Sequence, residues 1–361
     1  MMHSVAILGA GIGREHMLGY RALPELFTVQ TVCDRELERA EQLAALAPGC
    51  GAVSGIDAVM DDRKIDIVDI CLPPHLHGPV ALMALAAGKH VICEKPVAGS
   101  VAEADELMAA AERAGLLFAP VFQYRYGRAL YQLAGLQDRG LCGKPLVATL
   151  ETHWNRGAEY YAVPWRGRWQ SERGGAVLGH AIHIHDLVTR FFGPVTEVTS
   201  LLDTRVNDIE TEDCAAIAMA TDSGGLVTSS VTLGGATDSS RLRLIFDALT
   251  AESRRNPYAP GAEDWSFTAR DPQRQDAVDA ALAEIDAEIA GRPTGFAGMF
   301  LEVSNHLNGL PADLVTVEDG VRSIELVAAI YHAARSGERV SLPLDRSLQI
   351  CADWVPEDEA E

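Results

Sequence analysis

No two cysteines in this chain are spaced as a CxxC pair, and no apolar run approaches the roughly 20 residues needed to cross a bilayer. The seven cysteines (33, 50, 71, 93, 142, 214 and 351) are odd in number, and several lie inside apolar runs such as VDICL and HVICEKP. They read as reduced core residues of a cytoplasmic protein rather than as a disulfide framework. The opening MMHSVAILGAG lacks a basic segment and its short apolar run passes straight into glycines, so neither a secretory signal nor a mitochondrial presequence is expected. Basic residues are scarce, 30 against 51 acidic ones, and the formal charge of −21 repels phosphate backbones and anionic membrane surfaces. Neither nucleic acid nor a membrane is therefore an expected partner. Repeats and low-complexity tracts are also missing, and the one biased piece, the terminal PEDEAE, is expected to be solvated.

What is present fills 361 residues with 48% hydrophobic side chains, enough for two cores. The segment SVAILGAGIGREHM is a short apolar run ending in glycines and followed by helix formers, the strand, turn and helix start that cradles a dinucleotide pyrophosphate. Gly9, Gly11 and Gly13 allow the backbone to approach the phosphates. A second strand, FTVQTVCD, ends at Asp34, 21 residues past Gly13, where a carboxylate accepts hydrogen bonds from ribose hydroxyls and repels a 2′-phosphate. NAD is thereby favoured over NADP, with Arg35 the neighbouring group that softens the choice. Helical and strand patterns then alternate to residue 123, which predicts a parallel, doubly wound sheet. Ser100 and Glu103 form a capping box that starts a helix just after EKP and so puts Glu94, Lys95 and Pro96 at the carboxyl end of a strand, where such sheets bind ligands.

Beyond 123 the pattern changes to strand-like runs joined by short turns such as TDSGG, indicating an antiparallel sheet with one Thr- and Ser-bearing face open to water or to another subunit. Two helical stretches follow, the second closed by Gly337, and 252–275 is expected to be a long loop. The expected domains are thus 1–123 and 124–361.

Within the second part, GHAIHIHD (179–186) packs three histidines and an aspartate into eight residues. A metal site, the acid/base end of a redox enzyme, and a polar helix patch all fit that density, since His180, His183 and Asp186 fall near one helical face. Against a metal, His185 lies about 200° round the helix from His183, and no other Cys or His cluster supplies ligands, so none is expected. Ahead of it, WNRGAEYYAVPWRGRWQSERGG carries four arginines against two glutamates, which permits an anionic substrate at Arg156 and Arg168, while its aromatic faces suit a sugar ring.

Taken together, GAGIGREH, CLPPHLH, GKHVICEKP, QYR at 123–125, and the paired glycines with the histidine segment at 174–186 resemble the glucose–fructose oxidoreductase / inositol dehydrogenase / MocA family along nearly the whole chain. The resemblance implies a Rossmann domain followed by an α/β domain whose large, open, mostly antiparallel sheet often makes the interface of a dimer or tetramer. It also implies that Lys95 and His183 are catalytic. Cofactor contacts would extend to Ile12, Leu72, Pro73, His77, Glu94, Lys95, Gln123 and a Trp165–Arg166 pair, and substrate contacts to Tyr124, His180, Lys95 and His183. The chain departs from the family where Asp-x-Gly-x-His is usual: Gly179, Ala181 and His183 stand there, without the aspartate, and Asp186 is expected to orient a neighbour or touch substrate.

The implied activity is NAD-dependent hydride transfer from a sugar, cyclitol or sugar acid hydroxyl, with His183 accepting the proton and Lys95 stabilising the charge on oxygen. Two other functions compete: an NAD-dependent glycoside hydrolase working through transient oxidation at C3, and a non-catalytic NAD-binding sensor, against which the retention of Lys95 and His183 argues.

Overall fold

The computed structural model describes residues 1–356; the acidic tail at 357–361 lies outside them. The described residues divide into two compact units, one formed by 1–123 with 295–324 and the other by 124–294 with the residues from 325 onward.

In the first unit, strands β1 (His3–Leu8), β2 (Phe27–Cys33), β3 (Gly51–Val53), β4 (Ile67–Ile70), β5 (His90–Cys93) and β6 (Phe118–Pro120) form a parallel sheet in the order β3-β2-β1-β4-β5-β6. The helices between them are α1 (Gly13–Arg21), α2 (Leu37–Ala44), α3 (Ile56–Met60), α4 (His77–Ala86) and α5 (Val101–Ala114). All four residues of β4 are buried, as a strand covered by helices on both faces requires. The Ser100 hydroxyl accepts the Glu103 N–H at 3.1 Å and starts α5, while the Glu103 carboxylate reaches back one residue further than expected, to the Gly99 N–H. Gly115 ends α5 in the left-handed conformation.

The return of 295–324 to this unit corrects the expectation that everything after 123 belongs to the second. Its cause is aromatic: Phe300 stacks on Tyr20 with ring centroids 4.0 Å apart, and a Cβ on Gly19 would stand 2.8 Å from the Phe300 ring. A glycine on α1 thus opens the seat for a distant helix.

The second unit holds α6 (Arg128–Asp138), β7 (Pro145–Asn155), α7 (Ala158–Tyr161), α8 (Trp169–Glu172), α9 (Ile182–Phe192), β8 (Val195–Asp203), β9 (Cys214–Thr221), β10 (Leu226–Thr232), β11 (Gly234–Phe246), β12 (Leu249–Glu252), β13 (Ser266–Ala269) and α10 (Gln275–Glu288). After α11 (Gly295–Leu307) come α12 (Val317–Ser336), β14 (Val340–Ser341) and α13 (Gln349–Ala352). Eight strands run in the order β13-β12-β11-β7-β10-β9-β8-β14. Every neighbouring pair is antiparallel except β7 and β10, which are parallel. Short turns reveal only the pairing of consecutive strands, so this crossover was invisible in the sequence. The expected loop at 252–275 contains β13, an edge strand of four residues too short to show a period. One face of the sheet is buried; on the other, Thr149, Thr199, Leu201, Ala216, Ala218, Thr228 and Ser230 are exposed.

Candidate active site: a cofactor cradle and a histidine-bearing helix

The glycine turn after β1 is shaped by close approach. Gly9 has a φ of +104°, and a Cβ there would stand 2.4 Å from the Cys71 carbonyl oxygen, so only glycine fits. At Gly13 a Cβ would meet the Ile7 side chain at 2.8 Å, which is how α1 seats against β1. A Cβ on Gly11 would have only Arg39 Nη2 within 4 Å, so the space above it is open beside half-exposed Ile12 and the start of α1, where amides and helix dipole favour an anion. Asp34 is 8% exposed; its carboxylate accepts the Ala10 N–H at 2.9 Å and the Glu36 N–H at 3.0 Å, which ties the end of β2 to the glycine turn. Arg35 points into solvent beside Glu36. Arg39, 3.9 Å from Asp34 and absent from the sequence-based expectations, is the cation nearer the turn; in the first turn of α2, it carries no motif to reveal it.

The carboxyl ends of β4 and β5 are fastened by two buried histidines. His77 is 1% exposed, with Nδ1 2.6 Å from the Pro96 carbonyl and Nε2 2.7 Å from the Leu72 carbonyl. It therefore braces the Leu72–Pro73 turn against the Lys95–Pro96 turn, in place of offering a donor to a cofactor; burial lowers its pKa, and the two carbonyl bonds oppose that. His16, which the sequence reading did not single out, lies fully buried between two carboxylates, Nδ1 at 2.8 Å from Asp69 and Nε2 at 3.1 Å from Glu94. Burial pushes its pKa down, but Asp69 and Cys71 outweigh that and hold it well above the usual imidazole value. Burial likewise opposes ionisation of Glu94, yet His16 and Lys95 keep its pKa below the ordinary carboxylate value. The second Glu94 oxygen accepts the Lys95 N–H at 3.1 Å, so the network ends at half-buried Lys95.

His16, Asp69 and Cys71 bring ligand-type atoms within 4.8 Å of one another, but both imidazole nitrogens are bonded to carboxylates and burial raises the Cys71 thiol to about 12. The trio reads as a hydrogen-bonded network. At the end of β6, the buried Gln123 Oε1 has no hydrogen-bond partner among the described residues, an acceptor left for a donor from outside. An open glycine cradle, a fastened carboxylate at Asp34 and an unused amide oxygen fit a dinucleotide.

In the second unit His183 lies on α9, its ring stacked on Tyr124 with centroids 4.3 Å apart and planes 19° from parallel. Residues 177–181 form a π-helical turn running directly into α9, not the α-helix assumed from the i, i+3, i+6 spacing. Such wide turns occur mostly as single insertions near functional sites. Within it, His180 Nε2 lies 3.2 Å from the Tyr160 hydroxyl, and its ring meets Trp154 edge-on at 5.0 Å. Asp186 is bound by Arg125 at 2.8 and 2.5 Å, both buried, so it orients a neighbour as anticipated. His185 faces away, bonded to Ser229 at 2.9 Å, and burial drives its pKa down to about 4. At Gly179, where the resembling family has its aspartate, a Cβ would have only Glu172 Oε1 within reach, at 4.0 Å.

The arginine-rich stretch is largely compensated. Arg156 binds Asp238 at 2.9 Å and sits over Trp154 (4.9 Å), Tyr160 (5.3 Å) and Tyr258 (5.8 Å). Arg166 lies 3.8 Å above Tyr160, 4.4 Å above Trp165 and 3.9 Å from Glu172; burial lowers its pKa. Arg173 pairs with Asp353 at 2.7 Å. Of the four arginines, exposed Arg168 alone makes no ion pair among the described residues.

Two family models match the chain: the oxidoreductase family's NAD-binding Rossmann fold over residues 3–122, and that family's C-terminal alpha/beta domain over 138–342. Levoglucosan dehydrogenase of Pseudarthrobacter phenanthrenivorans is 27% identical over 232 residues, 62% of this chain and 59% of its own. D-glucoside 3-dehydrogenase of Escherichia coli is 31% identical over 191 residues, 52% of this chain and 54% of its own. The chain thus spans a little over half the length of these curated relatives. Among solved structures, the WlbA dehydrogenase from Bordetella pertussis in complex with NADH and UDP-GlcNAcA superposes with a TM-score of 0.83 at 26% identity, covering 95% of this chain and 99% of that one. The two matches cover the glycine cradle and Lys95 in the first unit and the histidine helix in the second, and the chain belongs to the glucose–fructose oxidoreductase / inositol dehydrogenase / MocA oxidoreductase family.

Proposed function

We propose that this protein is an NAD-dependent dehydrogenase acting on a ring hydroxyl of a sugar or sugar derivative. The observation that carries the reading is that the main chain at Lys95 is fixed by the buried Glu94 carboxylate and the His183 ring is stacked on buried Tyr124, so each proton-handling side chain springs from a fastened base. Dehydrogenases of levoglucosan and D-glucosides among the relatives support the substrate class.

Oxidising an alcohol removes a hydride from carbon and a proton from oxygen. Bound NAD supplies the hydride acceptor. His183 takes the hydroxyl proton as a neutral imidazole, and the Lys95 ammonium stabilises the negative charge that grows on oxygen. Each such role contributes about 10²–10⁴ in rate. The Asp34 carboxylate favours NAD by repelling a 2′-phosphate, and the aromatic wall of Trp154, Tyr160 and Tyr258 offers apolar faces to sugar C–H groups. Since most of the nearby arginines are already paired, a neutral sugar is favoured over an anionic one, with Arg168 the group that an acid would engage.

The test is a panel of sugars, glycosides and sugar acids with NAD and NADP, followed by absorbance of the reduced nicotinamide. Lys95→Ala and His183→Asn are each expected to lower kcat by about 10²–10⁴ while still binding NADH. Release of p-nitrophenol from a glycoside without net NADH identifies the redox-neutral hydrolase instead, and NADH binding with silence in both assays identifies a sensor. Turnover unchanged in both variants rejects the proposed roles.

A further inference from the structure

The paired glycines that open the histidine segment have a mechanical reason visible at their backbone. Three successive amides there donate to a single residue, Glu212: Gly175 N–H to Oε2 at 3.1 Å, Ala176 N–H to the main-chain carbonyl at 2.8 Å, and Val177 N–H to Oε1 at 2.9 Å. Tyr331 donates its hydroxyl to the same carboxylate, 3.1 and 3.2 Å from its two oxygens. A Cβ on Gly175 would stand 1.9 Å from the Glu212 carbonyl oxygen, and one on Gly174 would stand 2.3 Å from the Tyr331 hydroxyl. Only two glycines in a row admit this clamp.

Helix starts leave amides without internal partners, and a carboxylate there is favoured by the helix dipole. Here one side chain, 5% exposed, fills that need for the helix that bears His183. Residues 177–181, immediately inside the clamp, are the π-helical turn, and α9 continues from it without a break. A π turn holds one residue more than an α turn. If its first amides were released and the turn relaxed to α geometry, everything downstream would rotate by about 100°, the angle per residue of an α-helix. His183 would then leave the face it shares with Tyr124.

We propose that Glu212, held by Tyr331, is a positioning residue that maintains the π turn and thereby aims the His183 ring. The inference rests on the reading of His183 as the proton acceptor.

The experiment compares full-length Glu212→Gln and Tyr331→Phe with the unaltered protein in three measurements: kcat and KM, NADH affinity and stoichiometry by fluorescence, and the His183 ring resonances in histidine-labelled protein, assigned with His183→Asn. Glu212→Gln is expected to bind one NADH per chain with unchanged Kd, to lose about 10- to 100-fold in kcat, and to shift the His183 resonances. Tyr331→Phe, which leaves the carboxylate and the helix amides in place, should show the same pattern to a smaller degree and carries the test alone if Glu212→Gln cannot be purified. Full turnover per NADH-binding site, a loss of turnover matched by loss of NADH sites, or unmoved His183 resonances overturns the clamp. Undiminished turnover in His183→Asn overturns the catalytic reading instead, while the resonances still judge the clamp.

Discussion

Asp34 has two tasks at once: its oxygens hold the Ala10 and Glu36 amides, and it is the group expected to meet the ribose. Replacing it with serine should raise the KM for NAD about tenfold or more and narrow the preference over NADP, as measured with both cofactors. A ratio of NAD to NADP unchanged in Asp34→Ser would remove Asp34 from cofactor selection. His185 gives a stability prediction. Its pKa falls from 6.5 in the open chain to about 4 when buried, so the folded state disfavours its proton. Its contribution is present above pH 6.5 and is lost as the pH falls through about 4, by up to about 3 kcal/mol. Thermal unfolding followed between pH 4 and 7 should show a shallower acid decline in His185→Gln than in the unaltered protein. His16 shows the limit of residue-level reading: its position on α1 was plain, but that it bridges Asp69 and Glu94 depends on two strands and a helix meeting, which no local spacing encodes.

The β1–turn–α1 element tolerates little change. Gly9→Ala meets both a positive φ and the Cys71 carbonyl oxygen, and should abolish NADH binding while costing about 1–3 kcal/mol in backbone strain alone. Gly13→Ala presses only on a methyl group of Ile7, so a loss of about 1–3 kcal/mol with weakened but measurable NADH affinity is expected. Calorimetry and fluorescence titration of the pair would test this ranking, and equal effects would contradict it. Alternation of helix and strand through the first 123 residues was legible because buried parallel strands and amphipathic helices have different periods. Two elements were not: β3, none of whose three residues is buried, and β13, a four-residue edge strand with alternate residues exposed, stand in no continuous apolar run that would mark them. The π turn escaped for another reason. Val177 to Ala181 carry no spacing that tells a π turn from an α turn, and the insertion is held by Glu212, 31 residues beyond Ala181 in the chain.

On the scale of the whole molecule, the exposed face of the eight-stranded sheet is lined by small residues and by Leu201, which is 75% exposed. An exposed sheet face of this kind suits a second copy of the chain, and a dimer or tetramer is the assembly we expect. Ala218→Arg, placing a charge at the middle of that face, should shift the mass in light scattering toward the monomer with kcat changed less than tenfold; an unchanged mass would locate the contact elsewhere. Among the described residues no helix is long and apolar enough to cross a membrane. All seven cysteines are free, five of them buried.

By itself the sequence determined the local features: the glycine turn, the carboxylate at the end of the second strand, the lysine at the end of the fifth, the capped helix after it, and the density of histidines near residue 183. These follow from short-range sterics and hydrophobic period, which act over a few residues. Tertiary structure alone decided that His77 and His16 are buried braces, that Arg156, Arg166 and Arg173 are already paired, that 295–324 returns to the first unit, and that a distant carboxylate shapes the histidine helix. Burial and partner choice for a charged group depend on every segment packed around it, and no stretch of sequence contains all of them.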